Sequence, residues 1–473
     1  MLNPAIWLFL AIAAPCAFLA VRYWRSALFG VFVLLVFEGA LRKWAFPWAQ
    51  SGVYLLKDAI LLAAYVGFLV DGRRNRSASR DAGVIKTLII LSFLFGCIEV
   101  LNPNSPSILI GLAGLKTYFL YAPVAFILPY AFKSREHLFG LIRRYLIIAI
   151  PVAVLGFVQI AAGPESFLNT YVSHTEDTEI ETVRFGSSYD LVRTSGTFSF
   201  ISGYAVYLGF ISFLAIGYNM ARGWRLKGNI VPLLALTLVI GAMFTTGSRA
   251  PVYTLVLTGP IILGMAVAGR VLASQTAVRL CILLPIMAIA AVSISPRAYE
   301  GFSDRASTSD DSTLQRVFSP IYQTMRALSE APALGLGIGT THSAAVTIMG
   351  TDDQWWLHGL TPEDEMARVT AELGVIGLLL NYLLRFLVAA FALRCAMSFR
   401  DPAYRALGIV LAIHLSLGIV VAVINNATAG LYYWGSLGLV LAMRRLEQSA
   451  YAQARTTLPM SRPRIEQPAV HAK

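Results

Sequence analysis

Apolar runs near 20 residues in length recur from one end of the chain to the other, and each is about the length a bilayer requires of a helix. No other feature restricts the fold as much. The expected fold class is an all-α polytopic membrane protein. Composition agrees: of 473 residues, 57% are hydrophobic and 14% charged, against about 25% charged in ordinary soluble domains. The mean hydropathy is +0.65. The runs place about 12–13 transmembrane helices, near 3–21, 27–40, 54–70, 87–101, 108–131, 145–162, 198–220, 230–246, 252–268, 280–294, 373–393, 407–423 and 431–443. The chain then divides into N-terminal transmembrane helices (1–162), a first polar loop (163–197), central transmembrane helices (198–294), a long polar loop (295–372), C-terminal transmembrane helices (373–445) and a Pro-containing tail (446–473) expected to be disordered.

The net charge of +12 speaks for orientation, not for nucleic acid. Short basic loops alternate along the chain: Arg22 and Arg25; Arg73, Arg74, Arg76 and Arg80; Lys133, Arg135, Arg143 and Arg144; Arg222, Arg225 and Lys227; Arg270 and Arg279; Arg394, Arg400 and Arg405; Arg444 and Arg445. Regular alternation puts them on one side, which the positive-inside rule makes cytoplasmic. The loops 163–194 and 295–372 carry the acids, Glu165, Glu176, Asp177, Glu179, Glu181 and Asp190 among them, and fall on the opposite side. Met1-Leu2-Asn3 lacks a basic region, so no cleaved signal peptide is expected. Cys16, Cys97, Cys281 and Cys395 are scattered without metal-ligand spacing, and no metal or cofactor is expected.

Several ionisable residues break the charge pattern. Arg42 and Lys43 lie in an outward loop beside Trp44, Phe46 and Trp48. Lys57, Asp58, Glu99 and Lys116 lie in the outer halves of spans, Arg193 precedes one, and Arg249 lies at the outward turn Thr245-Thr-Gly-Ser-Arg249-Ala-Pro251. A charge at mid-bilayer costs roughly 3 kcal/mol on insertion scales, so such residues usually face the protein interior. Any one of them reads as a structural pair or a snorkelling side chain; so many at one depth argue for a common outward-facing pocket. Arg385, toward the inner half of its span, reads as structural. In the long loop, Leu314, Val317, Phe318, Ile321, Met325 and Leu328 fall at helical spacing. They describe an amphipathic helix, either on the outer membrane surface or packed on the loop's own domain.

The same loop ends in a Gly-rich turn, Gly335-Leu-Gly337-Ile-Gly339, then Trp355, Trp356 and His358, then Glu363, Asp364, Glu365, Arg368 and Glu372 directly before the apolar run that Leu373-Gly-Val-Ile-Gly377 opens. The glycines could suggest a nucleotide loop, but no strand–helix unit with a following acid surrounds them; a plain turn is the simpler reading. The acids could equally be a solvated first helical turn.

Three stretches carry a resemblance: Arg193-Thr-Ser-Gly-Thr-Phe198 entering a span, Gly247-Ser-Arg249-Ala at a short outward turn, and Gly335–Gly339 followed by Glu363–Arg368 and Glu372-Leu-Gly-Val-Ile-Gly377. In this order and topology they resemble the O-antigen ligase and O-antigen polymerase superfamily of bacterial membrane glycosyltransferases. The stretch Glu38-Gly-Ala-Leu-Arg42-Lys43-Trp44 resembles its polysaccharide polymerase subgroup. The resemblance implies a GT-C-like fold, a multi-pass protein of the bacterial inner membrane, and a site facing the periplasm. The donor it implies is a glycan on undecaprenyl diphosphate, with a sugar hydroxyl as acceptor and with chain-length regulator and flippase proteins as possible partners. In the ligases a His is the proposed base; Glu363 stands at that position here. Glu363, or its neighbour Glu365, is the expected base, since adjacent carboxylates raise one another's pKa. Arg193 and Arg249 are the first expected contacts of the diphosphate, and Arg42, Lys43 and Arg368 the second, because a guanidinium grips phosphate bidentately. A transporter or flippase is the reading from another class, in which the intramembrane charges line a translocation route.

Overall fold

A computed structural model describes residues 4–71, 82–172, 183–185, 191–224, 229–308, 313–351, 353–360 and 362–457. In chain order the helices are α1 (Pro4–Arg22), α2 (Trp24–Ala40), α3 (Gln50–Val70), α4 (Gly83–Glu99), α5 (Ile108–Phe119), α6 (Val124–Ile127), α7 (Arg135–Ala162), α8 (Ile201–Ala221), α9 (Ile230–Thr245), α10 (Arg249–Ala268), α11 (Ser274–Ile294), α12 (Pro296–Thr308), α13 (Thr313–Glu330), α14 (Ser343–Met349), α15 (Glu365–Ser398), α16 (Pro402–Leu417) and α17 (Ala427–Thr457). One two-residue antiparallel ladder, β1 (Arg184–Phe185) with β2 (Leu191–Val192), sits in the first polar loop.

Among the described residues, seven helical stretches are long and apolar enough to cross a membrane, and the shorter apolar stretches Ala11–Arg22, Ile230–Thr245 and Pro402–Leu417 join them. This is an all-α, multi-pass membrane architecture. Every expected span overlaps a helix, but three readings differ, the first being that the run near 407–423 is helical only to Leu417. The run near 108–131 is not one helix: α5 ends at Phe119, and Pro123 and Pro129 break the remainder into α6 and a 3-10 turn at Leu128–Tyr130. Proline removes an N–H and clashes with the preceding turn, so the break lies where the sequence puts it. The tail expected to be disordered begins as helix, because α17 continues to Thr457; residues 458–473 lie outside the described residues, as do Glu176, Asp177, Glu179, Glu181 and Asp190.

The packed core lies between α2, α7, α8, α9, α16 and α17, where Leu28, Leu146, Tyr204, Tyr207, Leu407 and Tyr432 are fully buried. Hydrogen bonds gather the basic loops at one end of the bundle. Arg25 donates to the Tyr130 carbonyl, Arg405 to that of Gly269 and Arg445 to that of Pro129, and Arg135 pairs with Asp401 at 2.8 Å. The unusual charges lie toward the other end.

One element differs in kind from its sequence reading. α15 is broken at Gly374, whose φ of 61° and ψ of −160° are not helical. Only glycine adopts that backbone readily, and a Cβ there would meet the Ala333 carbonyl oxygen at 2.0 Å. The break folds residues 365–373 back along 375–398. Arg385 lies about 15 Å down the axis from residue 375 at 1.5 Å per residue, yet its guanidinium pairs with Glu365. The first arm of α15 therefore re-enters the bundle, and Arg385 lies level with the α16–α17 connection, where its Nη1 donates to the Gly418 carbonyl at 2.7 Å.

Candidate functional site

The site begins where α2 ends. Its last residues run into one π-helical turn, Leu41–Ala45, a local widening common at functional positions. The turn aims Arg42 and Lys43 at the segment entering α8. Arg42 Nη1 donates to Ser199 Oγ at 3.0 Å and lies 3.7 Å from Glu38 Oε1. Its Nε has no hydrogen-bond partner among the described residues. Lys43 Nζ donates to the Gly196 carbonyl at 2.7 Å and to Ser195 Oγ at 3.1 Å, and it stands 4.6 Å from the centre of the Trp44 ring. Lys43 is 7% exposed, and the oxygens it donates to, of Gly196 and Ser195, are neutral.

The other end of that segment is Arg193. Its Nε donates to the Thr246 carbonyl at 2.9 Å and its Nη2 to Ser248 Oγ at 2.7 Å. Thr194 N–H donates to the Thr245 carbonyl at 3.0 Å, and the two threonine hydroxyls are 2.7 Å apart. The Tyr171 hydroxyl donates to the Arg193 carbonyl; burial pushes that phenol up to about 12, which keeps it a donor across the physiological range. Arg249 is the first residue of α10 and Ser248 its N-cap. Residues 193–199 thus bridge the 245–249 turn and the Arg42–Lys43 corner, and the N-termini of α8 and α10 both open onto this region. Each helix N-terminus adds partial positive charge.

Beneath Arg42 runs a chain of buried charges. Lys57 Nζ lies 2.9 Å from Glu38 Oε2 and 3.7 Å from Asp58 Oδ1; Lys116 Nζ lies 2.6 Å from Asp58 Oδ2; the Tyr121 hydroxyl donates to Asp58 Oδ1 at 3.0 Å. The Tyr54 ring stands 5.2, 4.0 and 4.2 Å from Arg42, Lys57 and Lys116. Arg42, Lys43, Lys57 and Lys116 outnumber Glu38 and Asp58, so the cluster is positive where low dielectric makes an unbalanced charge costly.

α5 connects this cluster to a second group. Two residues beyond Lys116, the Tyr118 hydroxyl donates to Glu372 Oε2 at 2.8 Å. Glu372 Oε1 accepts from the Thr341 N–H at 3.0 Å and from its hydroxyl at 2.6 Å, and Arg368 Nη1 donates to the Thr341 carbonyl at 3.4 Å. The Gly-rich turn closes the first arm of α15: Leu336 N–H bonds the Ala371 carbonyl at 2.8 Å and Gly337 N–H the Glu372 carbonyl at 3.0 Å. At Gly339, with φ of 88°, a Cβ would come within 2.6 Å of the Ile110 carbonyl oxygen. The glycines serve close backbone packing.

The three consecutive carboxylates diverge. Glu363 is exposed, and its N–H is held by Gln323 Oε1 at 2.9 Å. Asp364 Oδ2 accepts from Ser319 Oγ at 2.9 Å. Glu365 is buried against Arg385 and accepts from the N–H groups of Val423 (2.8 Å), Ile424 (2.7 Å) and Asn425 (3.3 Å). The expectation of Glu365 as a base is corrected: four donors saturate its two oxygens, so it clamps the α16–α17 connection.

No family model matches the chain, and no curated protein matches it. Its functional reading therefore rests on residues and geometry. The structure collects Arg42, Lys43, Arg193 and Arg249 around one segment. Arg368 stands with Glu372 and Thr341, Glu363 lies beside α13, and Glu365 is apart. Sequence reasoning did not single out Tyr54, Thr341 or Ser248 as site residues, nor Glu38 as the partner of Lys57. An acid one turn before Arg42 was the available signal for Glu38.

Proposed function

We propose that the protein is a membrane glycosyltransferase, a polysaccharide polymerase acting at the outer face of a bacterial inner membrane. Its donor is a glycan on undecaprenyl diphosphate and its acceptor a sugar hydroxyl. The observation that carries the reading is the gathering of four cations around residues 193–199, Lys43 buried and Arg42, Arg193 and Arg249 partly buried. A lipid-linked diphosphate is the anion that a membrane offers at that depth, and leaving-group charge met by fixed cations is a major source of rate in such transfers. Arg193 and Arg249, at the α10 N-terminus, take the departing diphosphate. Arg42 and Lys43, on the other side of the same segment, take the second anionic headgroup that a polymerase requires and a ligase does not.

In the transfer, the bond between the donor's anomeric carbon and the phosphate oxygen breaks, and its electron pair leaves on undecaprenyl diphosphate. The acceptor oxygen forms the new bond, and its proton passes to Glu363, the exposed carboxylate of the 363–365 trio. Arg368 lies five residues beyond, on the first arm of α15. The deciding experiment is reconstitution with only the undecaprenyl-diphosphate-linked repeat as substrate. Elongated lipid-linked chains support the polymerase. Transfer that appears only when lipid A–core is added makes the protein a ligase, and movement of the intact lipid-linked repeat across the bilayer without elongation makes it a flippase.

A further inference from the structure

α13 packs with inverted polarity. In an amphipathic helix of a soluble domain the apolar face turns inward. Here Phe318, Ile321, Tyr322 and Met325 are 59%, 55%, 74% and 64% exposed, while Thr324 and Ala327 are 4% and 1% exposed. The polar side holds the helix to the protein: Gln323 Oε1 accepts from the N–H groups of Glu363 and Asp364 at 2.9 and 3.3 Å, and Ser319 Oγ donates to Asp364 at 2.9 Å.

The depth of that attachment follows from the fold-back of α15. Glu365, next to Asp364, is paired with Arg385 part-way down a membrane-spanning arm. Arg385 also donates through Nε to Asn381 Oδ1, one turn nearer the outer end, so its guanidinium reaches upward. The same arm shows an exposed apolar stripe, Ile376, Leu379, Leu383 and Phe386, which begins above the level of the Glu365 pair and is where acyl chains lie. A helix bonded to residues 363 and 364 is therefore level with the outer part of this stripe. Interfacial helices bury their apolar face about 5–10 Å into the boundary between headgroups and acyl chains.

We propose that α13 is an interfacial helix whose apolar face lies in the outer leaflet of the bilayer. Lipid, and not a second protein surface, covers Phe318, Ile321, Tyr322 and Met325. Through Gln323 and Ser319 the leaflet holds residues 363 and 364 at the boundary between headgroups and acyl chains. The inference rests on packing and depth and stands whether or not glycosyl transfer is the activity.

The test uses the full chain in lipid nanodiscs. With Cys16, Cys97, Cys281 and Cys395 replaced, single spin labels at each position from 318 to 329 are read for collision with oxygen and with a water-soluble nickel chelate. Labels at 318, 321, 322 and 325 should favour oxygen several-fold, and that at 326, on the polar edge of the helix, should favour nickel, with a period of about 3.6 residues. Nickel accessibility all round would overturn the proposal, as would exclusion of both reagents from the apolar face, which would put a second copy or a partner protein there. If the cysteine-free chain does not fold, a photoactivatable phospholipid in nanodiscs of the native sequence gives the same decision. Label on residues 318–328 is expected; its absence there, beside label on α15, refutes the assignment.

Discussion

The pair of Glu365 and Arg385 allows a quantitative test of the folded-back helix. The two side chains are 7% and 4% exposed as residues. Removing one member of a buried pair costs roughly 3–5 kcal/mol, because the other charge is left uncompensated. In Glu365→Gln, Arg385 keeps Asn381 Oδ1 and the Gly418 carbonyl, so the cost should fall near the low end, about 3 kcal/mol. In Arg385→Met, Glu365 keeps three N–H donors, and a similar loss of about 3 kcal/mol is expected. The double variant removes both charges together. It should lose only about 3–4 kcal/mol, far less than the sum, since neutral groups can share the site. Equilibrium unfolding in mixed micelles measures all three against the parent. Losses that add within about 0.5 kcal/mol would mean the residues do not interact, and the reversal at Gly374 would fall with them.

Gly374→Ala should prevent correct folding, since the residue needs positive φ and its Cβ would meet the Ala333 carbonyl at 2.0 Å; folded monomer by size exclusion is the measure, and a normal yield would contradict the kink. Glu363→Gln should leave folding intact, because the side chain is exposed, and should lower polymer formation on the order of 100-fold; near-parental rates in the reconstituted assay would remove Glu363 as base. Arg193→Lys keeps the charge but cannot bond Thr246 and Ser248 through two separate nitrogens, so severe loss of product is expected despite normal insertion. Single cysteines at Glu165 and Ser343 should react with an impermeant reagent from outside intact cells; labelling from the cytoplasmic side alone would invert the proposed topology.

The sequence and the structure agree most closely where one physical signal acts alone. Apolar runs locate the helices because a bilayer admits few alternatives. Lys57, Asp58 and Lys116 stand out within such runs, and all three prove to be paired inside the bundle. Arg42 and Lys43, which the sequence puts at the same depth as Arg193, bond the segment that Arg193 begins. Relations set by a single backbone reversal are not legible in this way. Leu373-Gly-Val-Ile-Gly377 reads as the start of a span, and nothing local distinguishes Gly374 from Gly377. Without that reversal Glu365 and Arg385 are twenty positions apart, so the acid reads as a base and the arginine as an isolated structural cation. The apolar spacing of α13 is equally plain, but which face meets the protein depends on Gln323 and Ser319 finding the 363–364 backbone.

The reversal at Gly374 also bears on how the chain is made. Residues 375–393 are apolar enough to be inserted as a span when they emerge, with Arg385 as the main obstacle, at roughly 3 kcal/mol on insertion scales. Its partner Glu365 has been synthesised by then, on an arm that reaches the bilayer only by folding back. The donors that complete the clamp, Val423, Ile424 and Asn425, follow later, after α16. Docking of the 365–373 arm is thus a late step of assembly, reserved until the last two helices are in place. A chain truncated before residue 418 would carry the span but lack the means to close the fold over it.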